Sequence, residues 1–96
     1  MEIIVTIVDQ QALQEREYDN KNTGQREKFA TMGFLLRHAD CTFFCEMVQE
    51  QARRQTVLDR NYYYVATVQA QARPWQDQQG ATRYENRLTL TKLAPL

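Results

Sequence analysis

Three aromatic side chains, Phe29, Trp75 and Tyr84, lie within a few positions of the cations Arg26, Lys28, Arg73, Arg83 and Arg87. An aromatic face stacks on any flat ring, at about 1–3 kcal/mol per stacked base, and a neighbouring guanidinium or ammonium contacts phosphate. The combination has the chemistry of a single-stranded nucleic-acid site that reads no sequence. A blander account leaves Phe29 and Tyr84 in the core and sets the arginines on a solvated face opposite Glu85 and Asp77. No catalytic constellation competes with either. One histidine, three glycines and scattered acids supply no nucleophile–base pair, no paired acids and no phosphate-binding glycine loop, so no enzyme is expected. His38 reads as a surface turn residue. With Cys41 and Cys45 it makes too few ligands for zinc, so neither metal nor cofactor is expected.

Cys41 and Cys45 share a face of one strand, about 13 Å apart, too far for a disulfide between Cα atoms that must lie about 5–6 Å apart. They read as buried thiols in a reducing compartment. Twelve Lys and Arg balance twelve Asp and Glu, which by itself argues against a polyanionic partner. The balance is uneven along the chain: residues 1–50 carry a net −4 and residues 51–96 a net +4, the pattern of a charged binding face. Ninety-six residues make one domain, 1–96, with a small core. No secretory leader or membrane span is visible, so the expectation is a soluble, intracellular protein with no membrane partner.

These side chains need strands to hold them. Ile3 to Val8 is β-branched and apolar on both parities, a strand covered on both sides, and its polar continuation from Asp9 to Glu17 runs on, bends or loosens. Asp19 to Gln25 is the strongest turn signal, a loop of roughly eight to ten residues whose Lys21 is a further candidate for contact with nucleic acid. The next strand has its core parity on Ala30, Met32, Phe34 and Leu36, and Gly33 in its middle suggests a bulge or sharp coil. His38-Ala39-Asp40 turns the chain into a third strand, Cys41 to Gln49. Phe43, Cys45 and Met47 line one of its faces, Phe44 and Val48 the other. Gln51 to Leu58 reads as a short helix. Asn61 to Arg73 and Thr82 to Leu93 form a final hairpin around a loop, Pro74 to Ala81, that carries Trp75. Its core parity holds Tyr62, Tyr64, Ala66, Val68 and Ala70, then Tyr84, Leu88 and Leu90, while Tyr63 faces outward to stack or to meet a partner.

Five strands with a helical link between the third and fourth and long first and last loops fit an all-β, five-stranded Greek-key OB-fold barrel, which binds oligonucleotides on its strand 2–3 face and those loops. Leu35 and Arg37 would join the site there. The last third carries a tyrosine-bearing strand (Tyr62 to Val68), a hairpin loop through Gly80 and the run Arg87-Leu88-Thr89-Leu90 ending at Ala94-Pro95; earlier, Gly24-Gln25-Arg26-Glu27-Lys28-Phe29 leads a basic loop into a strand through an aromatic. In these elements the chain resembles the gene V type of single-stranded DNA-binding protein of filamentous phages. The resemblance implies a homodimer, in the cytoplasm of a bacterial host, that coats single-stranded DNA during phage or mobile-element replication. It places Lys28, Phe29 and Arg87 in the DNA groove, with Arg26 and Arg16 beside them. That family is basic, whereas this chain is neutral and its first loop is flanked by Glu15, Glu17, Asp19 and Glu27. RNA is a possible second ligand, and no small-molecule substrate is expected. The alternative is an OB-like protein-interaction module that binds no nucleic acid.

Overall fold

The computed structural model describes residues 1–96 as six strands and one short helix: β1 (Glu2–Gln10), β2 (Gln14–Asp19), β3 (Arg26–His38), β4 (Cys41–Val48), α1 (Gln49–Arg54), β5 (Tyr63–Gln76) and β6 (Thr82–Pro95). They form one mostly antiparallel sheet in the order β1-β5-β6-β4-β3-β2, and a further β1–β3 pairing closes a ring of hydrogen-bonded strands. Only β4 and β6 run parallel, in contact at Glu46 and Thr89.

The strand count is six rather than five because the polar continuation of the first strand breaks. β1 pairs with the second half of β3 (Thr6 with Arg37, Gln10 with Phe34), and β2 pairs with the first half (Gln14 with Thr31, Asp19 with Arg26). Gln11 to Leu13 lie between, and the Gln11 N–H donates to the Gly33 carbonyl over 2.9 Å. Gly33 itself keeps its ladder position opposite Glu46, so the expected bulge is absent there; the irregularity lies in β1, between Ile7 and Asp9. Glycine is needed at residue 33 for room. A Cβ there would stand 2.6 Å from Cζ of Phe44 and also collide with the Gln11 amide.

Alternation then builds the core. Ala30, Met32, Phe34 and Leu36 of β3 are buried, as are Cys45 and Met47 of β4, Val5 and Ile7 of β1, Tyr64, Ala66 and Val68 of β5, and Leu90 of β6. Burial pushes the Cys45 thiol up to about 12, Glu46 adding a little, which leaves it unreactive near neutrality. Cys41 is exposed, against expectation, because it opens β4 at the turn, beyond the reach of the core. Tyr62 is likewise exposed: β5 begins one residue later, and it is Tyr64 that packs, its hydroxyl donating to the Asp59 carbonyl. The helix is α1, Gln49–Arg54, earlier and shorter than the expected Gln51 to Leu58; Ala52 seals the core beneath β3 and β4. The segment after it is fixed by the Gln10 side chain, which donates to the Thr56 carbonyl and accepts from the Leu58 N–H.

The connections are shorter than expected. Asn20 to Gln25 link β2 and β3, and only Asp77 to Ala81 link β5 and β6. Pro74 and Trp75 therefore belong to β5, opposite Tyr84 and Arg83. Beyond Val68 and Leu88 this hairpin leaves the body as a two-stranded ribbon whose side chains are exposed on both faces. No helix is long and apolar enough to cross a membrane.

Candidate nucleic-acid interface

Over the body of the sheet the strands have one face on the core and one on solvent, and the register carries that outer face onto β2 and the ribbon, which are exposed on both sides. Arg16 of β2 stands opposite Phe29 of β3, Gln14 opposite Thr31, and Thr31 opposite Val48 of β4. Glu46 brings β6 alongside at Thr89, two residues from Arg87. The outcome is a groove of about 330 Å³ whose lining includes Arg16, Phe29, Thr31, Glu46, Arg87 and Thr89. Positions 16, 29 and 87, remote in sequence, meet in it. Phe29 is 39% exposed, which leaves ring surface free in the groove.

The ion pairs are divided between the faces. Arg26 pairs with Glu17 at 2.9 Å, Arg53 with Glu50 at 2.7 Å and Glu15 at 3.6 Å, and Arg60 with Asp9 at 3.2 Å. Arg26 and Lys28 have the parity opposite to Phe29 and stand across from Asp19 and Glu17, on the α1 side of the sheet. The structure therefore does not bring them to the groove. Lys21 lies in the turn between β2 and β3, at the end of that arm. Glu27 is occupied as well: the Asn20 amide, and then the Tyr18 hydroxyl, hold its carboxyl below the usual range. Arg16, Arg37, Arg73 and Arg87 make no ion pair, and all four have outer-face parity. The outer face is not free of acids, since Glu27, Glu46 and Glu85 share its parity and Glu85 stands across from Arg73, but none of them is within ion-pair distance of these four arginines. Glu46 is the one carboxylate lining the groove.

On the ribbon, Arg73, Trp75 and Arg83 continue the outer face. Trp75 is 51% exposed. Its cross-strand neighbour Arg83 is committed to Asp77, Nε to Oδ2 at 3.1 Å, while Asp77 Oδ1 accepts the N–H groups of Gln79 and Ala81. Tyr84 is on the reverse side with Pro74 and is 72% exposed, so it is neither a core residue nor a neighbour of the Trp75 ring. Two outer-face residues were not singled out from sequence: Glu46 in the groove, and Phe44, 46% exposed although it follows Phe43 in an apolar run. The signal was present, since both alternate with the core positions Cys45 and Met47. A comparison with protein-family models, curated proteins and solved structures finds no match to this chain.

Proposed function

We propose that this chain binds single-stranded DNA without reading its sequence, along the outer face that runs from the Arg16–Phe29–Arg87 groove to Trp75. The observation that carries the reading is that groove: a partly exposed aromatic ring together with two arginines that make no ion pair, supplied by three separate strands. Phe29 stacks a base, and Arg16 and Arg87 take the adjoining phosphates. The same reading takes the closed strand ring, with its parallel β4–β6 contact and the helix between β4 and β5, as an OB-type barrel. The ligand then crosses the face that such barrels offer to oligonucleotides. A homodimer is part of the proposal, with the exposed ribbon as its contact.

The test is fluorescence of Trp75, the only tryptophan, with anisotropy of a labelled oligo-dT, at two salt concentrations. If Arg16, Arg73 and Arg87 each meet a phosphate, log Kobs falls with log salt at a slope of about −2. Phe29→Ala and Arg87→Ala should each weaken binding about tenfold or more with the fold intact, and Arg87→Ala alone should flatten the slope. Unchanged anisotropy with wild-type protein at low salt rejects the reading. Competition with oligo-U measures the preference for DNA over RNA.

A further inference from the structure

A second aromatic platform lies on the same outer face, some distance along β3 from the groove. Phe44 faces away from the core between the buried Cys45 and the packed Phe43, in the register position opposite Leu35. A solvent-facing strand position has no need of phenylalanine. Beneath it Gly33 occupies the middle of a thirteen-residue strand, where glycine weakens a ladder relative to alanine. The two irregularities are linked: the absent Cβ of Gly33 leaves room for the Gln11 amide and for the Phe44 ring to lie against the sheet, since a Cβ there would meet Gln11 Oε1 and stand 2.6 and 2.9 Å from Cζ and Cε1 of Phe44. Mid-strand glycine of this kind commonly marks close approach of a ligand or another backbone, and local conflicts with the fold collect at functional sites.

Charge and position indicate what the ring receives. Arg37 follows Leu35 on the same parity of β3 and makes no ion pair. Gly33, under the ring, is four residues from Phe29 on the same face, roughly 13 Å along the strand. An apolar partner protein would gain nothing from the unpaired guanidinium groups at both ends of this track. A strand of alternating bases and phosphates matches both kinds of group.

We infer that Phe44, seated on Gly33, is a second base-stacking position, and that Arg37 holds the phosphate next to that base. The inference rests on the single-stranded DNA reading above and extends its path away from the ribbon, across β3 and β4.

The test measures oligo-dT affinity by anisotropy for wild type, Phe44→Leu, Arg37→Ala and, as the reference, Phe29→Ala, with circular dichroism to verify folding. Ultraviolet crosslinking of oligo-dT to the wild-type chain followed by peptide mapping gives a readout that needs no variant. Leucine keeps the apolar cover over Gly33 and removes only the aromatic face. The expected result is an affinity loss of about fivefold or more for Phe44→Leu with an unchanged salt slope, a slope shallower by about 0.7 for Arg37→Ala, and a crosslink mapped to Phe44 itself. Binding within twofold of wild type for Phe44→Leu, with no crosslink at Phe44, while Phe29→Ala loses affinity, overturns this inference and leaves the groove standing. Absence of binding by the wild-type chain overturns both.

Discussion

Arg16 and Arg87 line a groove that also holds Glu46, and on the proposed reading these three charges set how tightly a phosphate is held there. A carboxylate beside a phosphate path repels it by an amount that depends on screening, whose length is about 10 Å at 0.1 M salt. Glu46→Gln keeps the size and hydrogen-bonding reach of the side chain and deletes the charge. It should therefore raise oligo-dT affinity about two- to fivefold near 50 mM salt, and the gain should shrink as salt is added. Equal affinity at low salt would show that phosphates do not pass Glu46. The same substitution removes the smaller of the two influences that raise the Cys45 thiol; burial, the larger, stays, so Cys45 remains inert and reaction at the exposed Cys41 remains the only fast thiol labelling.

Among the elements, the β5–β6 ribbon depends most on one side chain. Asp77 closes its tip by accepting from Arg83, Ala81 and Gln79, and those bonds, the Arg83 guanidinium first, hold its carboxyl below the ordinary value of 3.8. A depressed carboxylate contributes order that is complete above 3.8 and is lost as pH falls through the lower folded value. Titrating downward should thus leave the tip closed past the pH at which a free aspartate protonates, then loosen it, seen as a change in Trp75 emission. Asp77→Asn should abolish that transition and free Arg83. Sequence reading stops short on this same ribbon, for a physical reason. Alternation shows which face a side chain takes, and it placed Ala30, Met32, Phe34, Leu36, Cys45 and Met47 inward as found. It does not show where the body beneath a strand ends: Ala70 and Tyr84 share parity with the buried Val68 and Leu90, yet the sheet has nothing under them. Pro74 suggested a loop, but β1 pairs with β5 only as far as Thr67, and a proline is tolerated where a strand has a free edge. Likewise Lys28 and Phe29 are adjacent in sequence and therefore on opposite faces, while Arg16 and Arg87 share a groove through long-range pairing that no local pattern encodes.

The whole molecule exposes more surface than its mass requires. Its accessible area is 7340 Å², against about 5,800 Å² for a compact monomer of this mass. Its radius of gyration is 15.7 Å, against about 13 Å for a compact domain of this size. The excess is roughly 1,500 Å², more than the roughly 800 Å² per partner of a standard protein interface, and the ribbon and β2 are the elements exposed on both faces. On the reverse side of the ribbon Ala70, Ala72, Pro74 and Tyr84, with Asn86 across from Ala72, form a mostly apolar strip with no intramolecular cover. A two-fold pairing of two such strips covers both at once, because each chain presents the same patch to the other. The outer faces, with their unpaired arginines, stay open. The expected outcome is a species of twice 11.4 kDa in sedimentation at micromolar concentration. Ala72→Asp sets a carboxylate in the strip of each copy and should give a folded monomer. A monomer in the unaltered protein would leave the strip without this partner. If the dimer does set the spacing of two grooves, Ala72→Asp should also lower the cooperativity of coating on long poly-dT while the affinity for a short oligonucleotide, which engages one groove, stays within about twofold of the parent chain.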